Sequence, residues 1–332
     1  MIDRIAPALR ILRIAVCAAL GLYSALASPL AAAQGWPAKP IRMIVPYTPG
    51  GYTDTMARAV GEPLARALGT TMIFENKPGA NSIVGADLVA KAAPDGYTLV
   101  TVIAAHSANA TLYPKLPFDV VRDFAPVSLT SLSPLILVVN NDFPARTVGE
   151  FIAYAKANPG KINFGSSGNG AAAHLTMEYL KNLTGTRMQH IPYKGTAPLL
   201  TDLIGGQIGV AFDATSLMMP HVRGGKIRAL ATTADKRVAG ALELPTMIEA
   251  GVPGFLSGTW SMVLAPAGTP PDIVKRLSEE IAKITRSAAF KEKYESQGII
   301  PMGTTPDESA AFLKEEIAKW GKVIRDANVK VE

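Results

Sequence analysis

Short apolar, β-branched runs alternate along the chain with segments whose apolar residues recur at helical spacing. That is the pattern of parallel strands joined by crossover helices. Ile41–Val45 predicts a first strand, followed by a helix over about Thr53 to Leu68 that Gly69 ends at a C′ position. A strand over Thr71–Glu75, a helix over about Ser82–Ala92 and a strand over Thr98–Ile103 repeat the unit. Between Asp123 and Asn140 the rhythm breaks. Ala125–Leu129 and Leu135–Val139 are apolar, and only serines and Pro134 separate them, so the chain is expected to cross there into a second lobe.

The rhythm then resumes. Thr147-Val148-Gly149-Glu150 reads as a capping box opening a helix to about Asn158. Strands are expected at Ile162–Phe164, Met188–Ile191, Ile208–Phe212 and Ile227–Thr232, with Met262–Leu264 carrying the chain back to the first lobe. Ile273, Leu277, Ile281 and Ile284 share one helical face. Thr305-Pro306-Asp307-Glu308 opens a last helix whose buried stripe is Leu313, Ile317, Trp320 and Ile324. The expected fold is α/β with two lobes and a central cleft, lobe 1 being residues 34–133 plus 257–332 and lobe 2 residues 134–256.

The first 33 residues stand apart. Arg4, Arg10 and Arg13, an apolar run from Ile14 to Ala27 and Ala31-Ala32-Ala33 make a basic, an apolar and a small-residue region in the order of a cleaved secretory signal. The run is shorter than the ~20 apolar residues a membrane-spanning helix needs. Removing the signal takes away three arginines, one aspartate and Cys17, the only cysteine, leaving a formal charge of +4 and no thiol. Disulfides, thiolate metal sites and cysteine nucleophiles are thereby excluded from the mature chain. The basic residues are dispersed, which argues against a nucleic-acid partner. A bacterial periplasm is the compartment this combination suggests.

Ligands of open α/β sheets bind where strands end and helices begin. Pro46 to Asp54 lies at such a junction, with Gly50 and Gly51 able to expose successive N–H groups and Thr53 or Asp54 expected to cap the helix. Gly165-Ser166-Ser167-Gly168-Asn169-Gly170 occupies the same position in the second lobe, and Lys77 to Ser82, with Ala80, a third. Three donor-rich loops suit an anion, and hydrogen bonds to charge of ~1.5–3 kcal/mol each make an arginine clamp unnecessary.

Other readings are weaker. The serine loop lacks the Gly-x-Ser-x-Gly spacing of a hydrolase. The four histidines (106, 174, 190 and 221) show no metal-pairing interval, so no metal, cofactor or catalytic residue is assigned. His174 is the best ligand candidate among them, although support of the loop is the commoner role for a histidine so placed; His190 reads as structural, and His106 and His221 stay unassigned. Asp213 and Tyr193-Lys194 end strands facing the expected cleft, where Asp213 is either a cap or a ligand contact and Lys194 is either the cation near the cleft or a solvated lysine. Trp260 reads as hinge packing.

These motifs together resemble the periplasmic solute-binding proteins of tripartite tricarboxylate transporters, the Bug receptors. The resemblance is carried by Trp36-Pro37-Ala38-Lys39-Pro40-Ile41-Arg42, Pro49 to Asp54, Pro94-Asp95-Gly96-Tyr97-Thr98-Leu99 and Leu116-Pro117-Phe118-Asp119. It continues through Gly165 to Gly168, His190 to Gly195, Asp202 to Gln207, Pro245-Thr246 with Glu249-Ala250-Gly251, and Ala265 to Pro270. It implies a two-lobed periplasmic-binding-protein fold, a type II-like Venus flytrap of two Rossmann-like lobes, that captures a small carboxylate without a strong salt bridge.

Carried over by position, Thr48, Gly50, Gly51, Tyr52, Thr53 and Asp54 form one cradle and Ser166, Ser167, Gly168 and Asn169 the other. Ala80, His174, Tyr193, Lys194 and Asp213 complete the expected lining, with Asn109, after the third strand, either closing its side or capping at the surface. The ligand would be a di- or tricarboxylate, an aromatic carboxylate or an acidic amino acid, and the partner a membrane permease served by a monomer. The family's serine after the glycine loop is Ala171 here, its glycine after the tryptophan is Met262, and Tyr52 is bulky, which points weakly to a less polar acid. An exported enzyme acting on a carboxylic acid and a ligand sensor for a signalling partner are the rival readings.

Overall fold

In the computed structural model, which describes residues 35–330, the strands follow the expected order. The signal expected over residues 1–33, with Cys17, lies outside the described residues. From Lys39 onward the chain forms one compact unit. It begins with β1 (Ile41–Val45), α1 (Tyr52–Leu68), β2 (Met72–Asn76), α2 (Ile83–Ala90), β3 (Thr98–Ile103) and α3 (Ala104–Leu112). Gly69 ends α1 at φ 68°, the left-handed conformation glycine reaches without a Cβ penalty.

The segment expected to hold two separate apolar runs is one 16-residue strand, β4 (Phe124–Val139). It continues unbroken because its two halves have different partners. Up to Pro134 it pairs antiparallel with β9 (Gly258–Pro266), and from Leu135 with β7 (Val210–Ala214) and β8 (Arg228–Thr232). Pro134, which has no N–H for a ladder, stands at the change of partners, where proline costs the strand least. The remaining elements are α4 (Val148–Ala157), β5 (Asn163–Ser166), α5 (Ala172–Thr184), β6 (Gln189–Pro192), α6 (Thr196–Ile204) and α7 (Thr215–Arg223), then α8 (Pro271–Arg286), α9 (Ala288–Glu295), β10 (Ile300–Pro301) and α10 (Pro306–Asp326).

The strand order β2-β1-β3-β9-β4-β7-β5-β6 puts three parallel strands at each end and the antiparallel pair β9–β4 in the middle. Side chains of β4 alternate between two cores. Leu135, Leu137 and Val139 join Phe151, Phe164, Phe212 and Phe255, whereas Ile136 and Val138 join Leu199, Leu203 and Met218. A sheet buried on both faces is what helices on both sides require.

A third core holds Ile44, Val100, Val102, Trp260, Met262 and Leu264, so Met262 fills that core and not the ligand cavity. Trp260, expected as hinge packing, is part of that core. Its indole and that of Trp320 both donate to the buried Glu316 carboxylate, at 2.8 and 2.7 Å. The last helix has its full capping box, Thr305 with Glu308. At α4 the Thr147 side chain accepts from Glu150 N–H, but the Glu150 carboxylate reaches Arg146 N–H instead of Thr147, so that box is half made.

Candidate functional site

A cavity of about 510 Å3 lies where the carboxyl ends of the strands meet the starts of the helices. Thr48, Gly50, Gly51, Tyr52 and Thr53 line it from one glycine loop, Ser167 and Gly168 from the other, and Lys194 and Asp213 from the far strands. The two main loops therefore share one crevice. Seven other candidates do not line it, and each has a different occupation.

Asp54 was expected to cap α1 or meet the ligand. The cap residue is Gly51, with no side-chain bond, and Asp54 turns beneath the loop. Its carboxylate accepts from Gly50 N–H (3.0 Å), Arg58 Nε (3.1 Å to each oxygen) and Asn76 Nδ2 (3.0 Å). Burial pushes its pKa up, but the bonds from Arg58, Gly50 and Asn76 outweigh it and hold the carboxyl below its ordinary value. The Gly50 amide, expected to meet the ligand, is thus already bonded.

In the second loop Ser166 is fully buried. Its Oγ lies 2.6 Å from His190 Nε2 and accepts from Gly168 N–H at 3.2 Å. Gly170 N–H donates to His174 Nδ1 at 3.1 Å, so His174 supports the loop from behind and is not at the cavity wall. His174 and His190 stack at 3.7 Å, with Phe164 beneath His190 at 4.9 Å. Burial lowers both imidazoles, to about 3 for His174, where the charges of His190 and Lys181 add to it, and to about 4 for His190, where Lys181 does. Both are neutral near pH 7. Asn169 is also absent from the wall, and Tyr193 is turned to donate its hydroxyl to Asp202 at 2.8 Å.

The third loop contributes one side chain. Ala80, Asn81 and Ser82 all have positive φ (45°, 51° and 78°), a costly run for residues other than glycine. Asn81 lines the cavity and Ala80 does not. Asn109, expected at the wall, is fully buried behind it. It exchanges two bonds with Asn81, accepting from the Asn81 side-chain amide (2.9 Å) and donating to the Asn81 carbonyl (2.8 Å). Strain held in place by a buried partner is typical of ligand clamps.

Residues outside the expected set also line it, among them Ile103 and Ala105, Ala171 to Ala173, Gly195 to Pro198, Ala214 and Leu217, Leu135 and Leu200, His221 and Thr259. Most belong to first turns. The starts of α1, α3, α5, α6 and α7 all line the cavity, and none of these five has a side-chain cap bond. Of the helices whose first turns are absent from its lining, α4, α9 and α10 are capped by Thr147, Ser287 and Thr305, and α2 and α8 have no side-chain cap bond.

A helix start leaves its first N–H groups without intrahelical partners and carries about half a positive charge. Five such ends turn a positive field on one crevice, which the Asp213 carboxylate beside the starts of α6 and α7 partly offsets. Between the donor-bearing ends, Leu135, Leu200 and Leu217 supply apolar wall. The arrangement can bind and orient an anion.

The fold and this crevice define a two-lobed periplasmic binding protein. Residues 56–329 match the model of the tripartite tricarboxylate transporter family receptor. Protein BugT of Bordetella pertussis (strain Tohama I) is 37% identical over 320 residues, spanning 95% of this chain and 98% of that one. Two solved structures superpose closely. R. palustris Rpa4515 with adipate has a TM-score of 0.83 at 34% identity, covering 89% of this chain and 99% of that one. The periplasmic binding protein BugD has a TM-score of 0.80 at 34% identity, covering 90% and 100%. The chain belongs to the tripartite tricarboxylate transporter receptor family, a family of periplasmic binding receptors and not of enzymes.

Proposed function

We propose that this receptor, cleaved from its signal over residues 1–33, captures a small dicarboxylate as a monomer and delivers it to the permease subunits of a tripartite tricarboxylate transporter. The convergence of five uncapped helix starts on one crevice carries the reading. Two carboxylates with three amide donors each, at ~1.5–3 kcal/mol per bond, can supply the ~8 kcal/mol of a micromolar ligand after association costs. The apolar residues between the donor groups suit a methylene spacer, and the neighbour holding adipate supports the same class of ligand.

Thr48, Gly51, Tyr52, Thr53, Ser167, Gly168, Lys194 and Asp213 are assigned to contact the ligand, with Asn81 added. Gly50, Asp54, Ala80, Asn109, Ser166, Asn169, His174 and Tyr193 would act by shaping the loops. The lobes would be residues 34–133 plus 257–332 and residues 134–256, with β4 and β9 as the connecting strands that bend on closure.

Native mass spectrometry of freshly purified protein, followed by calorimetry with C4 to C8 dicarboxylates, tests the reading. A co-purified diacid with micromolar affinity is expected. A protein that is stabilised by no carboxylate, and that leaves the cell carrying a neutral or cationic molecule, refutes it.

A further inference from the structure

Asp213 is an anomaly in a crevice built for anions. It sits near the carboxyl end of β7, lines the cavity and is 6% exposed. Its Oδ1 accepts from Ala214 N–H at 2.7 Å and its Oδ2 from the Thr196 hydroxyl at 2.9 Å. Neither partner is charged, and none of the ion pairs among the described residues involves it. Its carboxylate thus occupies the starts of α6 and α7, where a ligand carboxylate is also attracted.

Two carboxylates in one poorly solvated site do not both stay ionised; one retains a proton. The other ionisable groups lining the cavity are Lys194, His221, Tyr47 and Tyr52. From α5, which packs on β7, come His174 and the Glu178–Lys181 pair. Helix α6 brings Asp202, bonded to Tyr193, and α7 brings His221 and Arg223, the latter paired with Glu243. Strand β5 and the facing segment of β4, Leu135 to Val139, have no ionisable side chain. Nothing bonded to Asp213 would neutralise it when a second negative charge arrives.

We propose that Asp213 takes up a proton as the diacid enters and then donates it in a hydrogen bond to a ligand carboxylate, so that capture is coupled to proton uptake. This rests on the dicarboxylate reading above. The bond formed is O–H···O−, and the proton comes from solvent. Burial already raises the empty-site carboxyl to about 6, opposed by the bonds from Ala214 and Thr196. A ligand charge within ~6 Å would raise it by roughly two further units. Near pH 7 the carboxyl would pass from about one-tenth protonated to mostly protonated, an uptake of roughly 0.8 proton per ligand.

Calorimetry of adipate binding near pH 7, in phosphate, HEPES and Tris, reads this directly. The slope of observed enthalpy against buffer ionisation enthalpy is the number of protons taken up. A slope of roughly 0.8 is expected for the natural chain, falling near zero in Asp213→Asn and persisting in His221→Gln. Adipate binding with zero slope overturns the inference while leaving the receptor reading intact. A slope that survives Asp213→Asn and vanishes in His221→Gln transfers the proton to the histidine and equally overturns it. If acidic amino acids bind without proton uptake and adipate does not bind, Asp213 is an ionised partner for an ammonium group, and the inference fails. If no carboxylate binds at all, the receptor reading falls and takes this one with it.

Discussion

Ala172→Pro isolates a single main-chain donor. Ala172 is the first residue of α5, lines the cavity and follows Ala171, whose φ of −63° and ψ of 154° suit a residue before proline. The first helical bond here, Leu175 N–H to the Ala171 carbonyl, does not use the Ala172 amide. Proline at a first helical position loses no helix bond, so apo stability should move by less than about 1 kcal/mol. Affinity is a different matter. If that amide meets a ligand carboxylate, losing one charge-assisted bond of ~1.5–3 kcal/mol raises Kd roughly 10- to 150-fold.

Isothermal calorimetry with adipate, alongside apo melting curves, measures both quantities. Ala172→Val, which adds bulk but keeps the N–H, controls for the volume of the ring. Equal losses in the two variants assign the effect to crowding. Undiminished affinity in Ala172→Pro, with melting unchanged, refutes the argument that uncapped first-turn amides hold the ligand.

Three further outcomes follow from the same structure. Gly51 has φ −78°, and a Cβ there would meet only the Thr48 carbonyl, at 3.8 Å. Gly51→Val should therefore fold normally yet bind adipate at least ~100-fold more weakly through lost amide access; unchanged affinity removes this loop from the site. Glu316→Ala strands two buried indole N–H groups, a loss of ~2–5 kcal/mol and roughly 5–15 °C in Tm. A change within one or two degrees would show that the shared acceptor does little for stability.

Burial pushes the Asp213 carboxyl from its ordinary value near 3.8 up to about 6 in the folded protein, so the protonated form is the one folding favours. Its stabilising effect is full below about pH 4 and is lost as pH rises through 6, roughly 3 kcal/mol over that window. Asp213→Asn should accordingly be more stable than the natural chain near pH 7.5 in urea titrations, with the gap closing towards pH 4. A gap that widens in acid contradicts the sign.

Much of the architecture is readable from the residues. Apolar periodicity places the first-lobe strands and most helices to within a residue or two, because burial on one face demands it, whereas β9 extends four residues before the expected Met262 and the helix Ala104–Leu112 is not foreseen. Thr305 with Glu308 caps its helix by a local geometry that needs no distant partner. The β4 segment was harder, since a proline between apolar runs looks like a break until the two halves are seen to pair with different strands.

The site divides in the same way. Glycine loops, helix starts after strands and the family's motifs are local patterns, and they suffice to mark where an anion can bind. Whether a particular donor is free is settled by neighbours far along the chain. Gly50 is bonded to Asp54, Ser166 is turned under toward His190, and Asn109 serves Asn81, while the plain alanines 171 to 173 reach the crevice. Amides are common to nearly every residue, so their chemistry is blind to side-chain identity, and only the packing of five helix ends around one cavity gives them a shared direction.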